Sequence, residues 1–274
     1  MLRKKQNIKS IIITIIVILL VLILGFSIYK IITWFIDSNR ISEQLNIIEE
    51  ETTINEVVDN KDTEIIESIT KPEPFDPYWD YIKMNLINVD FNNLEKINKY
   101  TAGWIQVNGT NINYPFVQGD NNEYFLKYDF YNKKNSAGWI FMDYRNTQND
   151  FDKNTILYGH SRKDTTMFGT LKNILSNGWY DNKDNHIVKL STKYENTLWQ
   201  VFSVYHIPET SDYIKVNFKD NNEYQEFLNM IIKRTRLKFN TNVEVTDKIL
   251  TLSTCYNNDE RVVLHAKLIK RNAR

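Results

Sequence analysis

The chain contains one cysteine among 274 residues, so no disulfide can form within it. A free cysteine is usually a small buried apolar side chain, and the alternative is a reactive thiol, which its surroundings must decide. One cysteine and four scattered histidines offer no zinc-ligand spacing, so neither a metal nor a cofactor is predicted. Basic and acidic residues number 34 each, which removes any electrostatic argument for nucleic-acid binding.

Charge is also absent from one long segment near the N-terminus, Ser10–Tyr29, which has the length of a membrane-spanning helix. The segment exceeds the usual apolar region of a cleaved signal peptide, and residues 29–34 offer no small-residue cleavage site. The positive-inside rule places the basic residues before it in the cytoplasm and the rest of the chain outside; these residues are Arg3, Lys4, Lys5 and Lys9. We predict that residues 1–36 form a basic cytoplasmic tip and an uncleaved single-pass anchor in the cell membrane lipid.

Residues 37–71 lack aromatic side chains and glycine and hold ten acidic against three basic residues. That composition indicates a solvated stalk, partly helical or disordered. The proline-rich segment 71–77 then ends any helix. The sequence therefore predicts a stalk over 37–77 and one folded extracytoplasmic domain over 78–274.

Within that domain, apolar spacing between Trp79 and Ile97 indicates one or two N-terminal helices. After Gly103, short β-type runs alternate with turns, and Asn108-Gly109 is a hairpin signal. Further helices are predicted at 167–175 and 223–236, the second lying in an insertion before the last two strands. The fold class is mainly β with added helices, as a closed eight-stranded barrel; the predicted strands are 104–107, 112–116, 139–142, 155–158, 187–190, 198–206, 249–254 and 261–269.

Cys255 ends one predicted strand, and Arg261 opens the next after a short polar connection. The second strand alternates, with Val262, Leu264 and Ala266 on one face, while Arg261 and His265 share the other. A thiol at a strand end beside a guanidinium suits thiolate chemistry. The spacing alone supports catalysis only weakly, because a lone cysteine has other uses.

The four histidines are not equivalent. His160 follows an apolar run and Gly159, at a strand end where a tight turn can present its ring. His186 is expected at the surface, His206 in a structural position before Pro208, and His265 solvated on a polar face. A Cys–His enzyme would therefore use His160.

Two of these segments resemble motifs of the sortases, which are cysteine transpeptidases. Thr251–Cys255 with Arg261 opening the next strand resembles the signature TLxTC followed by Arg. Thr155–His160, followed by Met167-Phe168, resembles the segment that carries the sortase histidine.

Other features resemble class B specifically, namely Trp104–Asp143 and the helix-bearing insertion 208–245. The resemblance covers about residues 78–270. The five residues between Cys255 and Arg261 are fewer than in the class B pattern, which is its one departure.

The resemblance implies a two-step reaction. The thiolate of Cys255 attacks the carbonyl of the Thr in a C-terminal sorting motif on an exported protein, which gives a thioester. An amine of a peptidoglycan precursor or cross-bridge then attacks the thioester. The resemblance assigns His160 as general acid and then base, and Arg261 as a group that holds the oxyanion or orients the substrate.

The resemblance also implies contacts with the sorting peptide. For Leu126 and Ile214, ordinary core packing is the alternative. The substrate-binding positions are Asn122, Leu126, Tyr158, Tyr213, Ile214, Ser253 and Thr254.

Two other functions remain open from the residues. A membrane-anchored cysteine endopeptidase would use the same three side chains with water in place of the amine. A non-enzymatic, membrane-tethered binding barrel would show no thiol reactivity at Cys255.

Overall fold

The structure is a computed structural model that describes residues 2–57, 77–255 and 259–274. Its helices are α1 (Leu2–Glu51), α2 (Tyr78–Tyr81), α3 (Asn92–Ile97), α4 (Asn177–Asp181) and α5 (Asn221–Arg234). Short 3-10 turns lie at Tyr124–Leu126, Leu171–Leu175, Lys183–Asn185 and Asp212–Ile214. The strands are β1 (Ile54–Val57), β2 (Leu86–Val89), β3 (Thr101–Val107), β4 (Asn113–Val117), β5 (Phe141–Met142), β6 (Asn154–Tyr158), β7 (Ile187–Thr192), β8 (Glu195–Pro208), β9 (Ile249–Cys255) and β10 (Glu260–Ala273).

Strands β3 to β10 close into a barrel in the order β10-β8-β7-β3-β4-β5-β6-β9. The pairs β4–β5 and β6–β9 are parallel, and the others are antiparallel. Each of the eight predicted strand runs overlaps one of these strands, so the predicted closed barrel is confirmed. The hairpin signal between β3 and β4 is also confirmed, since Gly109 has a φ of 70° that L-residues rarely adopt.

The alternation of β10 explains how one strand serves two cores. Val262, Leu264 and Ala266 pack inside the barrel. Val263, on the other face, packs beneath α5 together with Phe227 of that helix. Helix α5 and its flanking segments form the insertion predicted before the last two strands, and Asp220 caps the helix by accepting a hydrogen bond from the Glu223 amide at 2.9 Å.

Two predicted helical regions differ from the structure. The Trp79–Ile97 region holds only the short helices α2 and α3, because β2 lies between them and pairs with β1. The segment 167–175 is helical only from Leu171, as a 3-10 turn. Met167 has a φ of 53°, which a right-handed helix cannot include, and it bridges to Ser161 instead.

Helix α1 continues beyond its apolar span and packs on the domain. Ile41 and Ile48 are fully buried there, and Leu45 packs against the same core. Gln44 donates to Asp129 at 2.9 Å. A solvated stalk therefore does not describe the start of the 37–77 segment, because three apolar residues form one helical stripe; residues 58–76 lie outside the described residues, and the domain boundaries stay a prediction.

The packing of α1 can be measured with adjacent residues. We expect Ile48→Asp to lower the free energy of unfolding by about 3 kcal/mol or more, because it removes a buried side chain and buries a carboxylate. Ile47→Asp, at a position 36% exposed, should cost about 0.5 kcal/mol or less. Chemical denaturation of the full chain in detergent compares the two, and equal stabilities would show that α1 is not held on the domain.

Candidate active site

The barrel brings the three predicted catalytic positions to neighbouring strand ends. Strands β6 and β9 run parallel with Tyr158 opposite Ser253, so His160 and Cys255 each lie two residues beyond that pair. Across the next pair, Cys255 is directly opposite Arg261. The side chain of Cys255 lies outside the described part of the structure, and the backbone register alone places it between the other two residues.

A cleft of about 630 Å³ opens at these strand ends. Most of the predicted site residues line it, and Asn122 does not. Glu209, Thr210 and Ser211, from the segment after β8, were not predicted and complete one wall. The lining residues are Leu126, Tyr158, Gly159, His160, Glu209, Thr210, Ser211, Tyr213, Ile214, Ser253, Thr254 and Arg261.

His160 is partly exposed and oriented by the backbone. Its Nε2 lies 2.9 Å from the carbonyl oxygen of Leu126, and because a carbonyl only accepts, Nε2 carries the proton in this contact. The preceding Gly159 is required by a close approach, since a Cβ there would lie 2.8 Å from the ring of Phe168. Thr254 donates to the Gly159 carbonyl at 2.6 Å and ties this turn to β9.

Asp143, which was not predicted, is a fully buried carboxylate that organises one side of the cleft. It accepts hydrogen bonds at 2.8 and 2.7 Å from Arg145 and at 2.9 Å from both Asn122 and Tyr158. Arg145 also donates to the carbonyl of Ile214 at 3.0 Å. Two predicted substrate residues, Asn122 and Tyr158, are therefore bound to a common partner. The Asp143–Arg145 spacing is visible in the sequence, but the convergence of the other two side chains is not.

The surroundings of Asp143 predict a pH dependence. Burial alone would raise its pKa, but the hydrogen bonds from Arg145, Asn122 and Tyr158 outweigh it and lower the pKa below its ordinary value. A carboxyl with a lowered folded-state pKa stabilises the protein above its unfolded pKa of about 4, and this contribution is lost as pH falls through the folded-state pKa.

We therefore expect Asp143→Asn to lower the free energy of unfolding by about 3 kcal/mol at pH 7. This is the lower end for a broken buried pair, because the Arg145 side chain is 35% exposed. The difference in free energy of unfolding between the variant and wild type should become smaller below about pH 4. Urea titrations at pH 7 and pH 3 measure both effects, with Asp120→Asn at an exposed position as control. A constant difference at the two pH values would contradict the assignment.

The side chain of Ser253 also contacts the insertion. Its hydroxyl lies 2.9 Å from that of Tyr213, and both side chains are buried. This contact fixes the 3-10 turn Asp212–Ile214 against β9, so the predicted substrate positions Tyr213 and Ile214 form one wall of the cleft. Ile214 is only partly buried, and Leu126 is 36% exposed, which leaves both available to a ligand.

Arg261 is held at the rim of the cleft. Its Nη2 lies 2.6 Å from a carboxylate oxygen of Glu209, and Nη1 donates to the carbonyl of Glu260 at 3.2 Å. The Arg261 side chain is 18% exposed and that of Glu209 is 65% exposed. The ion pair is therefore solvated on one side, which makes it a contact that a substrate group can replace.

Two expectations about histidines were wrong. His265 is fully buried, because α5 covers the face of β10 that was expected to be solvated; Tyr205 and Thr251 contact its two ring nitrogens at 2.8 and 2.9 Å. His186 is also buried. Burial lowers the pKa of His265 to about 3 and that of His186 to about 4, so both are neutral at pH 7.

The known proteins that this chain resembles in sequence are sortases. The sortase domain family matches residues 105–269. Sortase B of Staphylococcus aureus is 39% identical over 188 residues, which cover 67% of this chain and 76% of that protein. Sortase B of Listeria monocytogenes is 34% identical over 188 residues, covering 66% and 74%.

A solved structure agrees with the sequence relatives. The Staphylococcus aureus sortase B–substrate complex matches with a TM-score of 0.62 and 40% identity, covering 66% of this chain and 84% of that chain. The family match, residues 105–269, includes most of the barrel and the insertion before β9. The chain belongs to the sortase family, and within it to the class B cysteine transpeptidases.

Proposed function

We propose that this sortase cleaves a C-terminal sorting motif of exported proteins after its Thr and transfers the acyl group to a peptidoglycan amine. The observation that carries the proposal is the register of three neighbouring strands, which places Cys255 opposite Arg261 and beside His160. In the first step the Cys255 sulfur bonds to the Thr carbonyl carbon and the peptide C–N bond breaks. In the second step the amine nitrogen bonds to that carbon and the thiolate leaves.

The residues around the cleft have separate roles in this proposal. His160 protonates the departing amine and later accepts a proton from the incoming one. Arg261 cannot act as a base at any usable pH, so its guanidinium holds the developing oxyanion. The hydroxyl network of Tyr213 and Ser253 and the Asp143 cluster keep the walls in place for the peptide.

The sorting peptide is proposed to occupy the cleft between Leu126 and Ile214. Both side chains line the cleft. Leu126 comes from the 3-10 turn before β5, and Ile214 comes from the 3-10 turn after β8. Tyr158 adds a partly buried side chain to the lining. Asn122 does not line the cleft, and its contribution is to position Asp143 and the backbone amide of Tyr144, which donates to it at 3.0 Å.

The reaction is tested with a peptide containing a candidate sorting motif and a separate amine. Intact mass spectrometry should find a thioester on Cys255, and chromatography should find the amine-linked product. Hydrolysis with no transfer at saturating amine would favour the endopeptidase. Failure of Cys255 to react with peptides or with a methanethiosulfonate would favour a binding barrel.

The proposed location is the outer face of the cell membrane, with one span. Helix α1 contains a window of mean hydropathy 3.4 that is not buried against the domain, and basic residues precede it. Protease added to intact protoplasts should degrade residues 37–274 and leave the cytoplasmic end. A domain that survives protease until the membrane is permeabilised would contradict this orientation.

A further inference from the structure

His160 also lines a second pocket, of about 470 Å³, on the side of the domain that faces α1. This second pocket shares only His160 with the catalytic cleft. Its remaining walls come from α1, from the loop before β5 and from the loop after β6; they are Trp34, Ser136, Ser161, Arg162 and Lys163. The candidate catalytic histidine thus borders two separate openings.

The walls of the second pocket are joined by specific contacts. The guanidinium of Arg162 lies 5.7 Å from the ring centre of Trp34 on α1. Ser38, one turn further along α1, donates to Asp164, and Asp37 accepts from the Ser136 amide at 3.0 Å. The loop between β6 and the next turn is therefore fixed to α1, and the pocket is a built feature with a wall that begins where the apolar span ends.

The charged side chains around the second pocket differ in whether they form ion pairs. Arg162 forms an ion pair with Asp164 at 2.6 Å, and the Arg162 side chain is only 6% exposed, so their charges compensate each other. Asp37 is engaged by the Ser136 amide. Lys163 is exposed and makes no ion pair within the described part of the chain. The pocket therefore offers one cation outside these ion pairs, Lys163, while the carboxylate of Asp37 stays charged on the backbone of the wall residue Ser136.

A transpeptidase must admit two substrates to one carbonyl carbon. In the function proposed above, the acyl chain fills the catalytic cleft while the thioester waits for the amine. The amine must then approach from another side and release its proton to His160. The second pocket provides such an approach, because it reaches His160 without passing through the cleft.

We infer that the second pocket admits the amine acceptor, and that Lys163 binds an anionic group which the acceptor carries. The ligand class is a peptide amine with a carboxylate or phosphate near it. The amine nitrogen attacks the thioester carbon, its proton passes to His160, the C–N bond forms, and the C–S bond breaks with the thiolate as leaving group. This inference rests on the proposed function.

The test measures transfer kinetics of the full chain in detergent with triglycine and with triglycinamide, which differ in their terminal charge. We expect Lys163→Glu to raise the KM for triglycine roughly fivefold, the upper range for an exposed ion pair. The KM for the sorting peptide should change by less than about twofold. Lys172→Glu, at an exposed position outside both pockets, should change neither value.

A second variant and a competitor complete the test. Ser136→Phe keeps the backbone amide and fills the pocket, so it should raise the KM of both acceptors. A wild-type preference for triglycine over triglycinamide, lost in Lys163→Glu, identifies a carboxylate. Competition of inorganic diphosphate with triglycinamide, lost in the same variant, identifies a phosphate.

Acceptor KM values that are the same in wild type, Lys163→Glu and Ser136→Phe, without competition by diphosphate, would overturn the inference while leaving the proposed function intact. A wild-type protein that forms neither a thioester on Cys255 nor a transfer product would instead overturn the proposed function itself.

Discussion

Cys255→Ala is expected to abolish both cleavage and transfer, with a loss of at least about 10⁴-fold, the scale seen when a covalent nucleophile is removed. The reason is that the thioester cannot form without the only thiol in the sequence. The position of Cys255 between the backbones of His160 and Arg261 supports this role. Rates are measured with a sorting peptide, and intact mass spectrometry should find the acyl adduct in wild type alone.

The absence of any other cysteine supplies the control. A methanethiosulfonate should inactivate the wild type by adding to one site and should leave the mass of Cys255→Ala unchanged. The free energy of unfolding of the variant should equal that of wild type to within about 1 kcal/mol. A loss of activity then does not come from a loss of folding. Turnover retained in a folded Cys255→Ala would require a different nucleophile and would refute the mechanism.

Arg261→Ala should lower the rate of Cys255 acylation by about 10²-fold or more. The structure shows the guanidinium paired with Glu209, from the segment after β8. Such a solvated pair is worth about 0–1 kcal/mol, whereas an oxyanion contact in a partly desolvated cleft is worth about 2.7–4 kcal/mol. The substrate oxyanion therefore outcompetes the carboxylate, and the pair does not prevent catalysis.

Two further variants separate charge from geometry. Arg261→Lys keeps the charge but loses the bidentate fork, so it should also lose about 10²-fold. Glu209→Gln removes only the competing carboxylate and should stay within about fivefold of wild type. Near wild-type acylation in Arg261→Ala would show that another group holds the oxyanion; Arg234 is poorly placed for that, since it is not among the residues that line the cleft.

The barrel could be predicted because its strands carry local signals. Alternation in β10 and the Asn108-Gly109 turn are properties of a few consecutive residues. The burial of His265 could not be predicted, because it depends on α5, which folds back over β10 from a distant part of the chain. The docking of α1 had a signal in the spacing of Ile41, Leu45 and Ile48, but the acidic composition of the same segment pointed to a solvated stalk.

The candidate site divides in the same manner. Cys255, His160 and Arg261 stand at strand ends that the sequence marks with a motif, and the register brings them together. Asp143 and Glu209 carry no such mark, because their importance comes from partners far away in the sequence. Asn122 stays predicted as a contact for the peptide, and its hydrogen bond to Asp143 is a further contact that the sequence did not indicate.

The continuity of α1 sets how far the enzyme can reach. Residues 34–51 of this helix rise about 27 Å along the domain, and buried side chains hold them there. With the apolar span in a bilayer, the cleft is held at a fixed distance from the lipid surface. A flexible linker would instead allow a range of distances. For the function proposed above, we therefore expect an exported substrate that is still held in the membrane to be selected by the number of residues between its membrane segment and its scissile bond, in addition to the spelling of its motif.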